Sequence, residues 1–212
     1  MLYSTNSFIL RKRNLSEKDQ IITVFSRDKG KLDLVSKASK SVLSKKASKL
    51  ELMNEVRLTI VKGKNLDILT ECRLIDSWKE IKFQNKHGNY LFILAEILVS
   101  SETDTDEISE VYDSTEELLK FLNEKDLLIE KLEFYISFWV INYLRILGFS
   151  DDYEEIKSDD LENRVIKYLS DKDFSTKVKL DYSKIQTKDL LTKSVSLFEK
   201  VIDKKLRCME LI

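Results

Sequence analysis

The first 80 residues alternate between apolar and polar positions in short stretches rich in β-branched and aromatic side chains, which is typical of β-strands. Two glycine-containing segments, 26–31 and 62–65, separate such stretches and predict hairpin turns, with Gly30 free to adopt a positive φ. The pattern predicts five strands, at residues 8–11, 21–25, 32–35, 56–61 and 66–74. On the last strand we expect one face to hold Leu66, Ile68, Thr70, Cys72 and Leu74.

Residues 36–53 lie between the third and fourth predicted strands and favour a short helix or loop. Leu43, Ala47 and Leu50 have helical spacing, and lysines occupy the other faces. Three strands, a short helix and two further strands make up the order of a five-stranded Greek-key barrel of the OB type. Five short strands also fit an SH3-like barrel, so the pattern by itself leaves both folds open.

After Trp78 the apolar residues recur with a helical period. Helices are predicted at residues 90–98, 114–122, 126–147, 161–169 and 187–206. Residues 101–113 are acidic and polar, which predicts a loop, and Ser114 and Glu117 have the spacing of a capping box that opens the next helix. Gly148 stands where a glycine is expected after the end of the long helix.

These elements predict an α+β protein of two domains, with residues 1–79 forming the OB barrel and residues 80–212 forming an all-helical domain. The net charge of −1 conceals an asymmetry, because residues 1–80 contain 17 Lys and Arg against 10 Asp and Glu, whereas the remainder contains 19 against 27. A basic half suits a phosphate polymer, so the two halves are expected to bind different partners. Two ordinary domains of opposite isoelectric point are the alternative interpretation.

A nucleic-acid surface is predicted from the placement of the basic residues. The segment 37–49 contains five lysines and no acid, namely Lys37, Lys40, Lys45, Lys46 and Lys49. A second set lies on the first strand and the following hairpin, namely Arg11, Arg13, Arg27 and Lys29. Such cations bind phosphates in a salt-dependent way, and Tyr3 is the candidate for an exposed stacking ring, whereas Phe8 and Phe25 are expected in the core. A simple solvated face is the alternative.

Catalysis, a metal site and a cofactor are not predicted. Cys72 and Cys208 are far apart in sequence, His87 is the only histidine, and no phosphate-binding glycine loop is present. The acidic residues of 151–160 are expected to be solvated or helix-capping charges rather than a nuclease site. The longest apolar stretch, 134–144, is too short to cross a membrane and predicts a buried helix. This cysteine usage and the lack of a secretory signal fit a cytoplasmic protein.

The order of short motifs along the chain resembles the RecO family of DNA-repair and recombination-mediator proteins. The segments that carry the resemblance are 10–19 (LRKRNLSEKD), 23–32 (TVFSRDKGKL), 35–38 (VSKA), 66–78, 90–98 and 145–149 (RILGF). Gly30 followed by a basic residue is similar to the family's hairpin, and Lys37 matches its lysine after the third strand. Ser16 and Ala38 replace the family's usual glycines, and residues 149–184 lack the four cysteines of its zinc module.

The resemblance implies a non-catalytic protein of the bacterial cytoplasm that binds single- and double-stranded DNA and anneals complementary strands. It also implies as partners RecR, the single-stranded-DNA-binding protein and, indirectly, the recombinase RecA, which the family helps to load. No cofactor, metal or membrane is implied. Three alternatives to this function are an RNA-binding OB protein, a protein-scaffold subunit without annealing activity, and an enzyme.

Overall fold

A computed structural model describes residues 1–37, 47–84, 87–149, 160–176, 178, 181 and 184–211. The strands are β1 (Leu2–Asn14), β2 (Gln20–Ser26), β3 (Gly30–Ser36), β4 (Glu55–Val61) and β5 (Asp67–Asp76). They close into a barrel in the order β1-β2-β3-β5-β4, in which β3 and β5 run parallel and the other neighbours run antiparallel. The prediction of a five-stranded OB barrel is confirmed. The strand order decides between the OB and SH3-like barrels in favour of the OB type.

Alternate side chains along the strands point inward and fill the barrel interior. Ile9, Ile22, Val24 and Leu34 are buried in one apolar cluster with residues of β4 and β5. Leu50, in a short 3-10 turn at Ala47–Leu50, is fully buried in the same cluster and closes one end of the barrel. This turn therefore acts as a structural plug, and Leu43, the first residue of the predicted helical face, lies outside the described residues.

The predicted pattern of faces on β5 is wrong. Leu69 and Cys72 face the barrel interior, whereas Leu74 is 43% exposed. The pairing of β4 with β5 shifts register between Glu55 and Val56 and between Thr59 and Ile60, and each shift breaks the strict alternation on which the prediction depended. Alternation in sequence does not reveal such bulges.

Within the described residues six helices follow the strands, which confirms the α+β class. They are α1 (Lys79–Phe83), α2 (His87–Ser100), α3 (Ile108–Leu122), α4 (Ile129–Ile146), α5 (Leu161–Ser170) and α6 (Thr187–Val201), followed by a 3-10 turn at Cys208–Leu211. Helix α4 is buried along most of its length and packs against α3, α5 and α6. Gly148, with φ of 81°, follows α4 as predicted.

The largest errors in the predicted helix boundaries are at the start of α3 and the end of α6. Helix α3 starts at Ile108 inside the predicted loop, and the Ser114 and Thr115 hydroxyls donate to the Val111 carbonyl within the helix instead of capping its start. The buried Ile108 and Val111 explain the earlier start, because burial of their side chains outweighs the acidic character of the segment. Helix α6 ends at Val201, five residues before the predicted end.

The outer surface of the barrel packs into the apolar core of the helices. Phe8, Leu10 and Phe25 point outward from β1 and β2, and all three belong to the same buried cluster as the helices. The Phe8 and Tyr112 rings stack with centroids 4.5 Å apart, and the Tyr112 hydroxyl donates to the Glu55 carboxylate at 2.9 Å. Burial raises the pKa of Glu55, and the hydrogen bond from Tyr112 acts in the opposite direction. This junction determines which part of the barrel surface stays accessible.

Candidate nucleic-acid interface

The outer face of β1, β2 and β3 is covered at one end and uncovered at the other. Near the β2–β3 hairpin the helices lie over it, beginning at Phe8 and Phe25. Towards the other end, where β1 and β3 terminate, Arg11, Arg13 and Lys37 are exposed. We call this part the open face. Arg11, Arg13 and Lys37 are exposed on it, Asp33 and Val35 are half-buried, and the Ile21 and Thr23 positions between them are buried.

Strand register brings the open-face residues together. Arg11 pairs with Thr23, which pairs with Asp33 on β3. Arg13 pairs with Ile21 in the same way, and Lys37 follows the end of β3. Neighbouring strands lie about 4.8 Å apart, so side chains of β1 and β3 are about 10 Å apart across β2. The sequence-predicted residues Arg11, Arg13 and Lys37 therefore occupy one surface.

A bulge in β1 aims Arg11 onto this surface. The pairing with β2 shifts between Ile9 and Arg11, so that Leu10 has no partner of its own. Ile9 faces the barrel interior and Leu10 packs into the helical core, which leaves Arg11 exposed beyond the covered region. The bulge thus places Leu10 in the apolar contact with the helices and the next residue, Arg11, on the charged open face.

The cations of the open face differ in their partners. Arg11 and Lys37 are exposed, and neither forms an ion pair with another described residue. The Arg13 guanidinium donates to the Asp33 carboxylate at 2.6 Å, and the Thr23 hydroxyl donates to the other carboxylate oxygen at 2.6 Å. Asp33 therefore places one negative charge in the middle of an otherwise basic surface.

The hairpin cations lie elsewhere and contact the protein itself. We call this part the covered end, formed by Arg27, Lys29 and Lys31. Arg27 pairs with Asp113 of α3 at 3.0 Å, and Lys31 donates to the Val99 and Ser101 carbonyls at 3.0 and 3.1 Å. The Arg27 amide donates to the Asn6 carbonyl of β1, which lies five residues before Arg11 and seven before Arg13. At about 3.4 Å per residue these separations are about 17 and 24 Å. The structure therefore does not bring the predicted residues Arg27 and Lys29 together with Arg11 and Arg13.

The lysine-rich segment is described only at its two ends. Lys37 is exposed, as a phosphate contact requires. The Lys49 ammonium donates to the Cys72 carbonyl at 3.1 Å and is half-buried, so it holds the plug turn against β5. The predicted residues Lys40, Lys45 and Lys46 lie outside the described residues.

The aromatic side chains of the barrel half are occupied by structural contacts. The Tyr3 hydroxyl donates to the Asp67 carboxylate at 2.7 Å, and the Lys29 ammonium lies 5.0 Å from the ring centroid. Burial and the adjacent Asp67 carboxylate raise the pKa of Tyr3 to about 12. Phe8 and Phe25 are in the core as predicted. Tyr3 is half-buried and already covered by a cation, so it is a poor stacking platform.

Other chemistry-bearing residues that the structure describes have structural contacts, whereas the acidic residues of 151–159 lie outside the described residues. The His87 ring is hydrogen-bonded to Gln84 at 2.9 Å, and the Asp160 carboxylate caps α5 by accepting from the Asn163 amide at 3.0 Å. Within the described ranges, His, Cys, Asp and Glu side chains form no group of three that could hold a metal ion. Among the helices of these ranges, none has the length and apolarity that crossing a membrane requires.

The sequence reasoning missed a groove beside the open face. A cavity of about 670 Å³ opens between β1, α2 and the C-terminal residues 204–211. Arg11 lies at its edge together with Phe92, Lys204 and Arg207. No local motif indicates it, because its walls come from segments that are distant in the chain.

Comparison with known proteins adds independent information on the barrel. Residues 1–78 match the family model described as "Recombination protein O N terminal". Three similar curated proteins each bear the name DNA repair protein RecO. The one from Symbiobacterium thermophilum is 25% identical over 81 residues, the one from Nocardioides sp. 33% over 75 residues, and the one from Cutibacterium acnes 29% over 99 residues.

These matches are partial. They cover 38%, 35% and 47% of this chain and 32%, 31% and 39% of the respective relatives. The chain thus matches about a third of the length of these relatives. The matched family segment contains all five strands of the barrel and therefore the whole open face.

Proposed function

We propose that this chain, whose residues 1–78 belong to the recombination protein O N-terminal family, is a non-catalytic DNA-binding recombination mediator in DNA repair. One observation carries the proposal. The segment that matches the family is the closed barrel, and its open face presents Arg11 and Lys37 to solvent without ion-pair partners among the described residues. Such a surface suits a polymer of phosphates.

The proposed mechanism is phosphate neutralisation. Arg11, Arg13 and Lys37 would contact the backbone of a single strand, and Lys40, Lys45, Lys46 and Lys49 are the further contact candidates from the sequence. Backbone contacts carry no sequence information, so binding would be independent of sequence. When two complementary strands are held on the same basic surface, their mutual repulsion falls, which would favour annealing.

The two halves would then have different tasks. In this proposal residues 1–79 form the DNA-binding domain and residues 80–212 form the domain for protein partners. The proposed partners are RecR, the single-stranded-DNA-binding protein and, through loading onto DNA, RecA. The proposed location is the bacterial cytoplasm, and the proposed activity requires no cofactor.

A binding titration of the full chain tests the proposal. The probe is a fluorescein-labelled oligothymidylate, followed by anisotropy over a series of salt concentrations, with an RNA of matched length and a DNA duplex as comparisons. The proposal predicts binding whose logarithmic constant falls with the logarithm of salt by about 0.7 per phosphate contacted. Annealing of two labelled complementary strands, measured by energy transfer, should accelerate when the protein is added.

The alternatives give different results. A strong preference for RNA without acceleration of annealing would favour an RNA-binding OB protein. Absence of DNA binding even at low salt would contradict the proposal and leave a scaffold subunit as the better account.

A further inference from the structure

A groove lies where the barrel, α2 and the C-terminal segment meet. Its volume of about 670 Å³ falls within the range of roughly 300–1,000 Å³ that small-molecule sites occupy. Apolar and aromatic side chains form much of its wall, among them Leu10, Leu52, Phe92, Ala95, Val99 and Leu211. The groove therefore offers a flat or apolar group a place away from water.

Phe92 is the unusual member of this wall. It lies on α2 between the buried Leu91 and Ile93, yet it is 44% exposed and faces the groove. No ring contact with another described aromatic side chain is found for it. An aromatic ring that is fixed on a helix and open on one side is the element on which a nucleobase stacks.

Four cations surround the groove, namely Arg11, Lys12, Lys204 and Arg207. Lys12 pairs with Glu51 at 2.9 Å, and Lys204 donates to the Ser100 hydroxyl at 3.3 Å. The guanidinium groups of Arg11 and Arg207 are exposed and form no ion pair within the described ranges. A free guanidinium recognises a phosphate with two parallel hydrogen bonds.

Two acidic residues, Glu96 and Glu210, also line the groove, and they differ in their contacts. Glu96 accepts from the backbone amides of Arg207 and Cys208 at 3.1 and 2.8 Å, which anchors the C-terminal segment. Burial acts to raise the pKa of Glu96, but the hydrogen bonds to residues 207 and 208 outweigh it and lower the pKa. Glu210 is exposed at the edge and offsets one of the cations.

We propose that this groove binds unpaired bases of a single strand whose backbone runs from the open face over Arg11 to Arg207. The inference rests on the proposed function and deepens it, because it names the groove that receives unpaired bases and that a duplex cannot use. Arg11 belongs to both surfaces, which makes the groove a continuation of the phosphate path. In a duplex the bases are paired and stacked inside, so they cannot reach Phe92. A duplex would therefore use the open face alone.

The test compares single-stranded with duplex DNA for matched variants of the full chain. Phe92→Ala should weaken binding of a labelled oligothymidylate by about fivefold or more, because one stacking contact is lost, and should leave duplex affinity within about twofold. Arg207→Glu should weaken single-strand binding to a similar extent. The controls are Phe83→Ala, which removes an 83% exposed ring outside the groove, and Lys167→Glu, which makes the same charge change on α5.

A second measurement does not depend on affinity. Oligothymidylate containing 5-iododeoxyuridine should crosslink under ultraviolet light to the tryptic peptide that contains residue 92, and excess unlabelled single strand should compete while duplex should not. Circular dichroism and the urea midpoint of each variant establish that it is folded.

The outcomes separate this inference from the proposed function. If the wild type binds DNA and Phe92→Ala and Arg207→Glu match their controls, the groove inference is overturned and the DNA-binding function stands. Equal losses for single-stranded and duplex DNA would also overturn it. If the wild type binds no DNA at low salt, the proposed function itself fails.

Discussion

The two ends of the outer barrel face carry the same kinds of side chain but use them differently. At the covered end, Arg27 pairs with Asp113, and Lys31 donates to carbonyls at the end of α2. On the open face, Arg11 and Lys37 are exposed without an ion pair among the described residues. Positive charge alone therefore does not identify a binding surface, and the partners of each cation decide its role.

The apolar residues explain why the helices cover one end only. Phe8 and Phe25 face outward near the hairpin and require burial, which α2 and α3 provide. Beyond the bulge at Leu10, the outward positions of β1 change to Arg11 and Arg13. Arginines lose hydration when they are buried without partners, so these positions stay at the surface.

The largest expected effect concerns the covered end. Phe8 is fully buried and stacked on Tyr112, so Phe8→Ala should lower the free energy of unfolding by about 3–5 kcal/mol. Urea denaturation followed by tryptophan fluorescence and by circular dichroism measures this change. Leu2→Ala, on the same strand but 64% exposed, should cost less than about 0.5 kcal/mol. A loss below about 1 kcal/mol for Phe8→Ala would contradict a core shared by barrel and helices.

A lysine at the contact between α1 and the barrel gives the protein's stability a pH dependence. The Lys82 ammonium donates to the Asn54 side chain, and burial lowers its pKa from 10.5 to about 8. Between these pH values the unfolded chain binds more protons than the folded one, so this group's contribution to stability increases as pH rises from about 8 towards about 10. Relative to Lys82→Met, the wild type should gain about 1 kcal/mol over this window after allowance for solvent screening.

Urea titrations of both proteins at each pH measure the difference. Tyrosines with raised pKa, such as Tyr3, are present in both proteins and cancel from it. A constant difference across the window would show that the Lys82 ammonium is not destabilised by burial.

Matched substitutions of two aspartates compare the open face with the covered end. Asp33→Asn removes the negative charge of the open face and releases Arg13, while the amide oxygen can still accept from the Thr23 hydroxyl. We expect affinity for oligothymidylate to increase about threefold at low salt. Asp113→Asn releases Arg27 at the covered end in the same way and should leave affinity unchanged. An equal increase for both variants would argue against a distinct open face.

The smallest effect is expected for Arg27, although the sequence suggests it as a DNA contact. Its pair with Asp113 joins two half-exposed side chains, and such pairs contribute about 0–1 kcal/mol. Arg27→Gln should lower stability by no more than about 0.5 kcal/mol and change DNA affinity by less than about twofold. Anisotropy and urea denaturation of the same preparation measure both, and a large loss of affinity would return Arg27 to the binding surface.

Local patterns predicted most of the fold. Alternation located all five strands, and Gly30 adopts the expected positive φ of 62°. The bulges between β4 and β5 and the start of α3 at Ile108 were not predicted, because they depend on packing against distant residues. Sequence reasoning has no access to such long-range contacts.

The sequence identified the basic residues of the barrel but not their arrangement. Arg11, Arg13, Arg27, Lys29 and Lys37 are all exposed, and their role as DNA contacts stays a prediction. Their ion pairs were not predictable, since Arg13 and Asp33 are twenty positions apart and meet only through strand register. The groove around Phe92 combines β1 with the C-terminal segment, and only the tertiary structure reveals it.

The most direct test of this account compares two double variants that remove equal charge from the two ends. Arg11→Gln with Lys37→Gln changes the open face, and Arg27→Gln with Lys29→Gln changes the covered end. Salt-dependent anisotropy with oligothymidylate should show that the open-face variant binds about fivefold or more weakly, with a salt slope reduced by about 1.4. The covered-end variant should retain the wild-type slope and an affinity within about twofold. Equal losses for both variants would contradict the account, because net charge rather than the open face would then determine binding.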